Sequence, residues 1–204
     1  MNSKIGVAIS GGVDSAVTAH LLKERGHEIV AIFMRLGIGD ESSLYAVEQI
    51  CQKLGIELQI LEMSTEFQKQ VIDYFIQSYQ QGHTPNPCIR CNKFIKFHRL
   101  LEASRRFGCD YLATGHYARI LFEQPREEES ESRLYQAMDK NKDQSYFLYT
   151  LDQQKLKNIL FPLGEYKKET IYQISETQGL NLKQGESQDI CFLSGDHNEF
   201  LREN

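Results

Sequence analysis

The chain has no apolar run near the ~20 residues that a membrane helix needs, so no helical span is expected. Its N-terminus, MNSKIGVAIS, carries one Lys and a short apolar run that leads straight into glycines. That run is too short for a signal segment and has no small-residue cleavage site, so the expected location is cytoplasmic with no membrane partner. Basic charge is not in excess. The net charge of −5 speaks against unaided, nonspecific nucleic-acid binding but leaves a local basic face open. Internal repeats are absent too. An even cysteine set is also lacking: the five cysteines point to thiols, redox pairs or ligands rather than structural bridges. What remains is an ordinary globular composition, 41% hydrophobic and 25% charged, which argues against wholesale disorder. A length of 204 residues allows one domain, or one with a small appendage, and a real core without staples.

Strand-like and helix-like segments alternate. Lys4–Ile9, Glu28–Met34, Glu57–Leu61 and Cys109–Ala113 read as short buried strands. Val13–Arg25, Ser43–Leu54, Ser64–Tyr79 and Asn92–Phe107 read as helices, the last with Phe94, Phe97, Leu100 and Leu101 inward. This alternation implies an α/β fold, a doubly wound parallel sheet with helices on both faces, its site beyond the C-terminal strand ends. Ile120–Phe122 and Leu134–Ala137 flank an acidic stretch, Glu123–Arg133, and suit a hairpin with a solvated loop. Beyond Asp143 the chain looks helical, with Ile159–Gly164 as a break and Lys167–Gln178 as a helix.

Ser10-Gly11-Gly12-Val13-Asp14-Ser15 follows the first strand and opens the first helix. Glycines there turn the backbone tightly and expose consecutive N–H groups, the helix N-terminus adds partial positive charge, and Ser10 and Ser15 add hydroxyls. Those features suit a phosphate cradle. The string is neither a Walker A loop nor the dinucleotide G-x-G-x-x-G. A plain strand-to-helix turn, N-capped by Ser10, is the alternative.

Cys88 and Cys91 form NPCIRC, and Cys191 lies 100 positions beyond Cys91 in QDICF. Cys51 and Cys109 sit in apolar segments as buried bystanders. Three uses of the first group stand open. They are ordinary thiols made reactive by a helix starting just after them; or ligands, three thiolates being able to hold an iron–sulfur cluster with one iron open; or a sulfur carrier and its resolving thiol. Lys93, Lys96, Arg99 and Arg106 recur along one helix and suit RNA phosphates or simple solvation. His116 serves either as a hydrogen-bonded loop histidine or in catalysis.

SGGVDS resembles the PP-loop of the ATP pyrophosphatases, which implies ATP binding with Mg²⁺ and cleavage between the α and β phosphates. Together with TPNPCIRCNKFIKF, ATGHYA, KDQSYFLYTL and SQDICF, in that order, it resembles the bacterial tRNA-specific 2-thiouridylase family over nearly the whole chain. The resemblance implies ATP-dependent replacement of O2 of the tRNA wobble uridine by sulfur. By that analogy Cys191 carries a persulfide and Cys91 is the second catalytic thiol. Ala8, Ser10, Gly11, Gly12, Val13, Asp14, Ser15, Met34 and Gly115 would bind ATP. Asn86, Pro87 and Cys88 would meet the target base, and Lys142, Asp143 and Gln144 the tRNA. A persulfide donor protein, a cysteine desulfurase or relay, is the implied partner.

The chain departs from the family in three ways. Cys88 stands where many members have Asp, which makes a cluster on Cys88, Cys91 and Cys191 an alternative. RLGIGDESS is shorter than the usual segment after Met34. Members also continue beyond QDICF into a central domain and a C-terminal β-barrel, so residues 1–204 are expected to be the catalytic domain. An ATP-dependent enzyme acting on a small-molecule acceptor is the further alternative.

Overall fold

The computed structural model describes residues 2–123, 131–180, 190–193 and 197–203. Residues 124–130 of the acidic stretch and 187–189 of SQDICF lie outside them.

The predicted alternation becomes a five-stranded parallel sheet. β1 (Lys4–Ile9) pairs with β2 (Glu28–Arg35) on one side and β4 (Tyr111–Ala113) on the other; β3 (Glu57–Glu62) and β7 (Ile159–Leu160) form the edges. The order β3-β2-β1-β4-β7 reverses direction between β1 and β4, the place where open α/β sheets bind ligands. Alternate residues of β2 enter separate cores, as the two-residue period requires. Ile29, Ala31 and Phe33 join α1 (Val13–Glu24) and α2 (Asp40–Leu54); Val30 and Ile32 join Phe97, Leu100 and Leu101 on the opposite face. Helices therefore cover both faces.

β5 (Ala118–Glu123) and β6 (Glu131–Gln136) form the expected antiparallel hairpin, starting two residues earlier than the sequence suggested.

Five expectations differ from the structure. Ile159–Leu160 is an edge strand, not a break; two residues before a proline turn carry no detectable period. The segment beyond Asp143 is only partly helical, with one-turn pieces at Ser145–Leu148, α7 (Gln153–Leu156) and Pro162–Glu165 before α8 (Lys168–Thr177) and α9 (His197–Glu203). The helix foreseen from Asn92 begins earlier, at α5 (Pro87–Cys91), because Asn86 accepts a hydrogen bond from Ile89 N (3.1 Å) and Pro87 fits the first turn. From Asn92 to Leu100 it widens to π-helical pitch and then continues as α6 (Leu101–Arg106); Phe97, fully buried, departs from helical angles (φ −99°, ψ 17°). The preceding helix is likewise α3 (Ser64–Phe67), a π-helical turn (Gln68–Ile72) and α4 (Asp73–Gln80). Phe94, expected inward, is half-buried beneath the Arg90 guanidinium, 4.5 Å from its ring centre.

Candidate active site

The serine–glycine turn lies at the sheet's switch point. Gly11 takes φ +83°, and a Cβ there would sit 3.1 Å from Ser43 O. Glycine is therefore required both for the left-handed backbone and for the close approach of α2. Gly12, not Ser10, occupies the N-cap position of α1, and no side chain caps that end. Ser15 Oγ instead braces the turn, donating to Gly12 O (3.0 Å) and accepting from Ser10 N (3.2 Å). The Ser10 capping alternative is thus corrected.

A cleft of about 200 Å³ opens over this turn, lined by Ala8, Ser10, Asp14, Ser15, Met34 and Gly115 among the expected residues. Ser10 and Gly11 also line a larger cavity of about 1020 Å³ against α2, so the turn is the ridge between the two. Val13, expected in the nucleotide set, is buried in the core below the turn. Gly115 presses on the start of α1: a Cβ there would lie 3.1 Å from Asp14 C and 3.2 Å from Ser15 N.

Asp14 is held from the far end of the chain. Lys168 Nζ donates to both its carboxylate oxygens (2.7 and 2.8 Å), and Tyr117 Oη donates to Oδ1 (2.8 Å). Burial, and then the Asp14 charge, push the Tyr117 hydroxyl far above its ordinary range, so it stays a donor. Lys168→Met leaves the carboxylate one partner in a partly desolvated site. The expected loss is about 1–3 kcal/mol of folding stability, measured by denaturant unfolding.

Gln144 stitches the cleft wall: its backbone N donates to Tyr117 O (2.8 Å), and its side chain accepts from Tyr117 N (3.0 Å). Asp143 accepts from Ala137 N (2.8 Å) and Ser145 Oγ (2.7 Å), while Lys142, half-buried, precedes them on the same turn. His116 lines the cleft, paired with Thr114 Oγ1 (2.7 Å) and packed between Phe97 and Phe161. Burial, with Lys96 adding, holds its pKa well below 6.5, so at neutral pH it is an uncharged packing histidine.

Cys88, Cys91 and Cys191 lie near one another on the side of Lys96. Cys88 and Cys191 are exposed and Cys91 is buried. Each thiol is close enough to another for its charge to be felt: Cys91 responds to Cys191 and Cys88, and Cys191 to Cys88. The lowering expected from a helix N-terminus does not occur. Burial pushes Cys91 up to about 11, and partial desolvation raises Cys88 and Cys191 as well, although both keep an edge exposed to water. Cys51 and Cys109 are the buried bystanders foreseen.

Lys96 was the unforeseen member. Its place in a spaced series of basic residues suggested a single outward face, but only Lys93, Arg99 and Arg106 are exposed. Lys96 is half-buried and lines the cleft with Ser10 and Gly115, and its charge opposes the raised pKa of all three thiols. The widened pitch accounts for this. On an α-helix Lys96 would stand about 140° around from Cys91; at π-helical i→i+5 spacing it comes back onto the face of Cys91.

Phe192 explains how Cys191 reaches this place. Its ring packs edge-on against Phe75 (5.3 Å) and Phe67 (6.1 Å) and against Phe200 (5.6 Å), within the cluster that also holds Cys91. Phe192→Ala should cost about 1–3 kcal/mol. It should also slow Cys91–Cys191 disulfide formation under mild oxidation at least tenfold, read by non-reducing peptide mapping. Among the described residues no group of three metal-binding side chains converges to hold a metal ion.

Residues 3–195 match the family described as the tRNA methyl transferase HUP domain. A protein of Syntrophomonas wolfei described as tRNA-specific 2-thiouridylase MnmA is 44% identical over 200 residues, covering 98% of this chain and 58% of that protein. One of Carboxydothermus hydrogenoformans with the same description is 42% identical over 215 residues, with the same coverage. The chain thus spans 58% of the length of these relatives. Among solved structures, the U34-tRNA thiolase NcsA of Methanococcus maripaludis, with its [4Fe-4S] cluster, aligns at a TM-score of 0.61 and 20% identity, covering 99% of this chain and 65% of that one. A predicted subunit of tRNA methyltransferase from Methanocaldococcus jannaschii aligns at 0.52 and 17%, covering 98% and 85%. Both share the fold.

Proposed function

Since the chain belongs to the tRNA methyl transferase HUP domain family, we propose that it carries the ATP-dependent 2-thiolation of the tRNA wobble uridine. The observation that carries this reading is Lys96, which lines the cleft over the serine–glycine turn and lies near enough to Cys88, Cys91 and Cys191 for its charge to bear on all three thiols.

ATP is a substrate here. Its phosphates lie against Ser10, Gly11, Gly12 and Ser15, with Ala8, Met34 and Gly115 bordering the nucleotide. Uridine O2 attacks the α-phosphorus and pyrophosphate leaves. The terminal sulfur of a Cys191 persulfide then attacks C2, and AMP departs with the oxygen. Cys91 attacks the Cys191 sulfur, leaving sulfur on C2 and closing a Cys91–Cys191 disulfide, which a reductant reopens. Mg²⁺ accompanies the triphosphate and adds positive charge to it. Asp14, the one carboxylate lining the cleft among the described residues, already carries the ammonium of Lys168 and the hydroxyl of Tyr117, so it serves as a brace for the turn.

Asn86, Pro87 and Cys88 face the base, and Lys142, Asp143 and Gln144 the surrounding RNA. A persulfide donor protein reloads Cys191, and the reaction suits a cytoplasmic protein. An iron–sulfur cluster on Cys88, Cys91 and Cys191 has suitable donor chemistry, but the three thiols do not form a ligand cage among the described residues.

The test supplies ATP, Mg²⁺, a persulfide donor and tRNA. AMP, pyrophosphate and 2-thiouridine should appear together. AMP formation that ignores tRNA but answers to a small molecule would move the reading to a small-molecule acceptor. Iron and acid-labile sulfide in anaerobically purified protein would replace the persulfide with the cluster.

A further inference from the structure

We propose that the ring of Tyr146 is the platform on which the extruded target base stacks, an inference that rests on the RNA reading above. Tyr146 is 58% exposed although its turn, Ser145–Leu148, is anchored on both sides. Leu148 is fully buried, Asp143 holds Ser145, and Asn92 Nδ2, directly after Cys91, donates to Phe147 O (3.3 Å). That last bond ties the turn to the helix that bears Cys88 and Cys91. The ring lies near enough to Cys88 for the thiol's charge to bear on its hydroxyl. One side of the ring rests on Phe147, with centroids 3.8 Å apart.

A tyrosine ring on a braced turn beside Cys88, with only one side taken up by Phe147, presents an open aromatic surface next to that thiol. The chemistry also needs such a surface. C2 of a pyrimidine is reached only when the base leaves its stack, and single-stranded bases are held by stacking on tyrosine and similar rings. Stacking orients the base plane without reading its edge, which leaves C2 open to the sulfur.

The experiment uses the full chain and an anticodon stem–loop RNA with 2-aminopurine at the target position, followed by fluorescence, and an unmodified tRNA for kinetics. The wild type should quench the probe. Tyr146→Phe should retain quenching and activity, whereas Tyr146→Ala should lose quenching and raise KM for tRNA about tenfold or more, with kcat for ATP cleavage changed less. Tyr149→Ala, 71% exposed three residues on, serves as the control and should behave as wild type. Unchanged quenching in Tyr146→Ala, no quenching by the wild type, or equal defects in Tyr146→Phe and Tyr146→Ala each overturn the proposal. Quenching that follows this pattern without ATP-dependent sulfur incorporation upholds the platform and overturns the reaction.

Discussion

Serine in place of Cys191 should lower sulfur incorporation into tRNA at least about a hundredfold while tRNA-dependent pyrophosphate release continues. The separation follows from the geometry. In the proposed reaction the phosphates are met by Ser10, Ser15 and the start of α1, and the cleft over that turn has no thiol in its lining among the described residues, so adenylation should survive loss of the sulfur carrier. Cys91→Ser should fall as far in turnover but should still accept a labelled persulfide on Cys191, detectable by mass spectrometry. Wild-type incorporation by either variant would remove its thiol from the mechanism.

Lys96→Met should damage both halves of the reaction. The ammonium lines the cleft over the serine–glycine turn and opposes the upward shift of Cys88, Cys91 and Cys191. Removing a preorganised charge from such a position costs on the order of a hundredfold or more in turnover. The independent readout is alkylation. With Cys91 at about 11, its thiolate fraction rises about tenfold per pH unit below that value, so its alkylation rate should climb from pH 7 and level near 11. Without the cation the plateau moves to higher pH; an unmoved profile would detach Lys96 from the thiols. The same burial sets an alkaline limit on folding. Cys51 and Cys91 are both raised to about 11, so the folded state holds their protons more tightly than the unfolded chain does. Their contribution to stability is complete below about pH 9 and is lost as pH rises toward 11.

The sheet and the serine–glycine turn were legible because β1 and β2 are short runs rich in Val and Ile and because strand-length segments alternate with helical periodicity. The hairpin was legible from the patterns on either side of the acidic stretch. β7 was not, since Ile159–Leu160 is too short to show a period. Asn86–Pro87 carried the signal for an earlier helix start, and the apolar spacing after Asn92 concealed it. The wide pitch that turns Lys96 toward the thiols has no spacing signature at all. The meeting of Cys191 with Cys91 depends on aromatic contacts of Phe192 with residues more than a hundred positions earlier, which no local pattern encodes.

The Lys168–Asp14 link spans 154 positions and carries one further consequence. During synthesis, the turn that opens α1 leaves the ribosome long before the lysine that neutralises Asp14. Until α8 docks, that carboxylate lacks its ammonium partner, so the charge at the head of α1 is balanced only once a helix 154 positions further along the chain is in place.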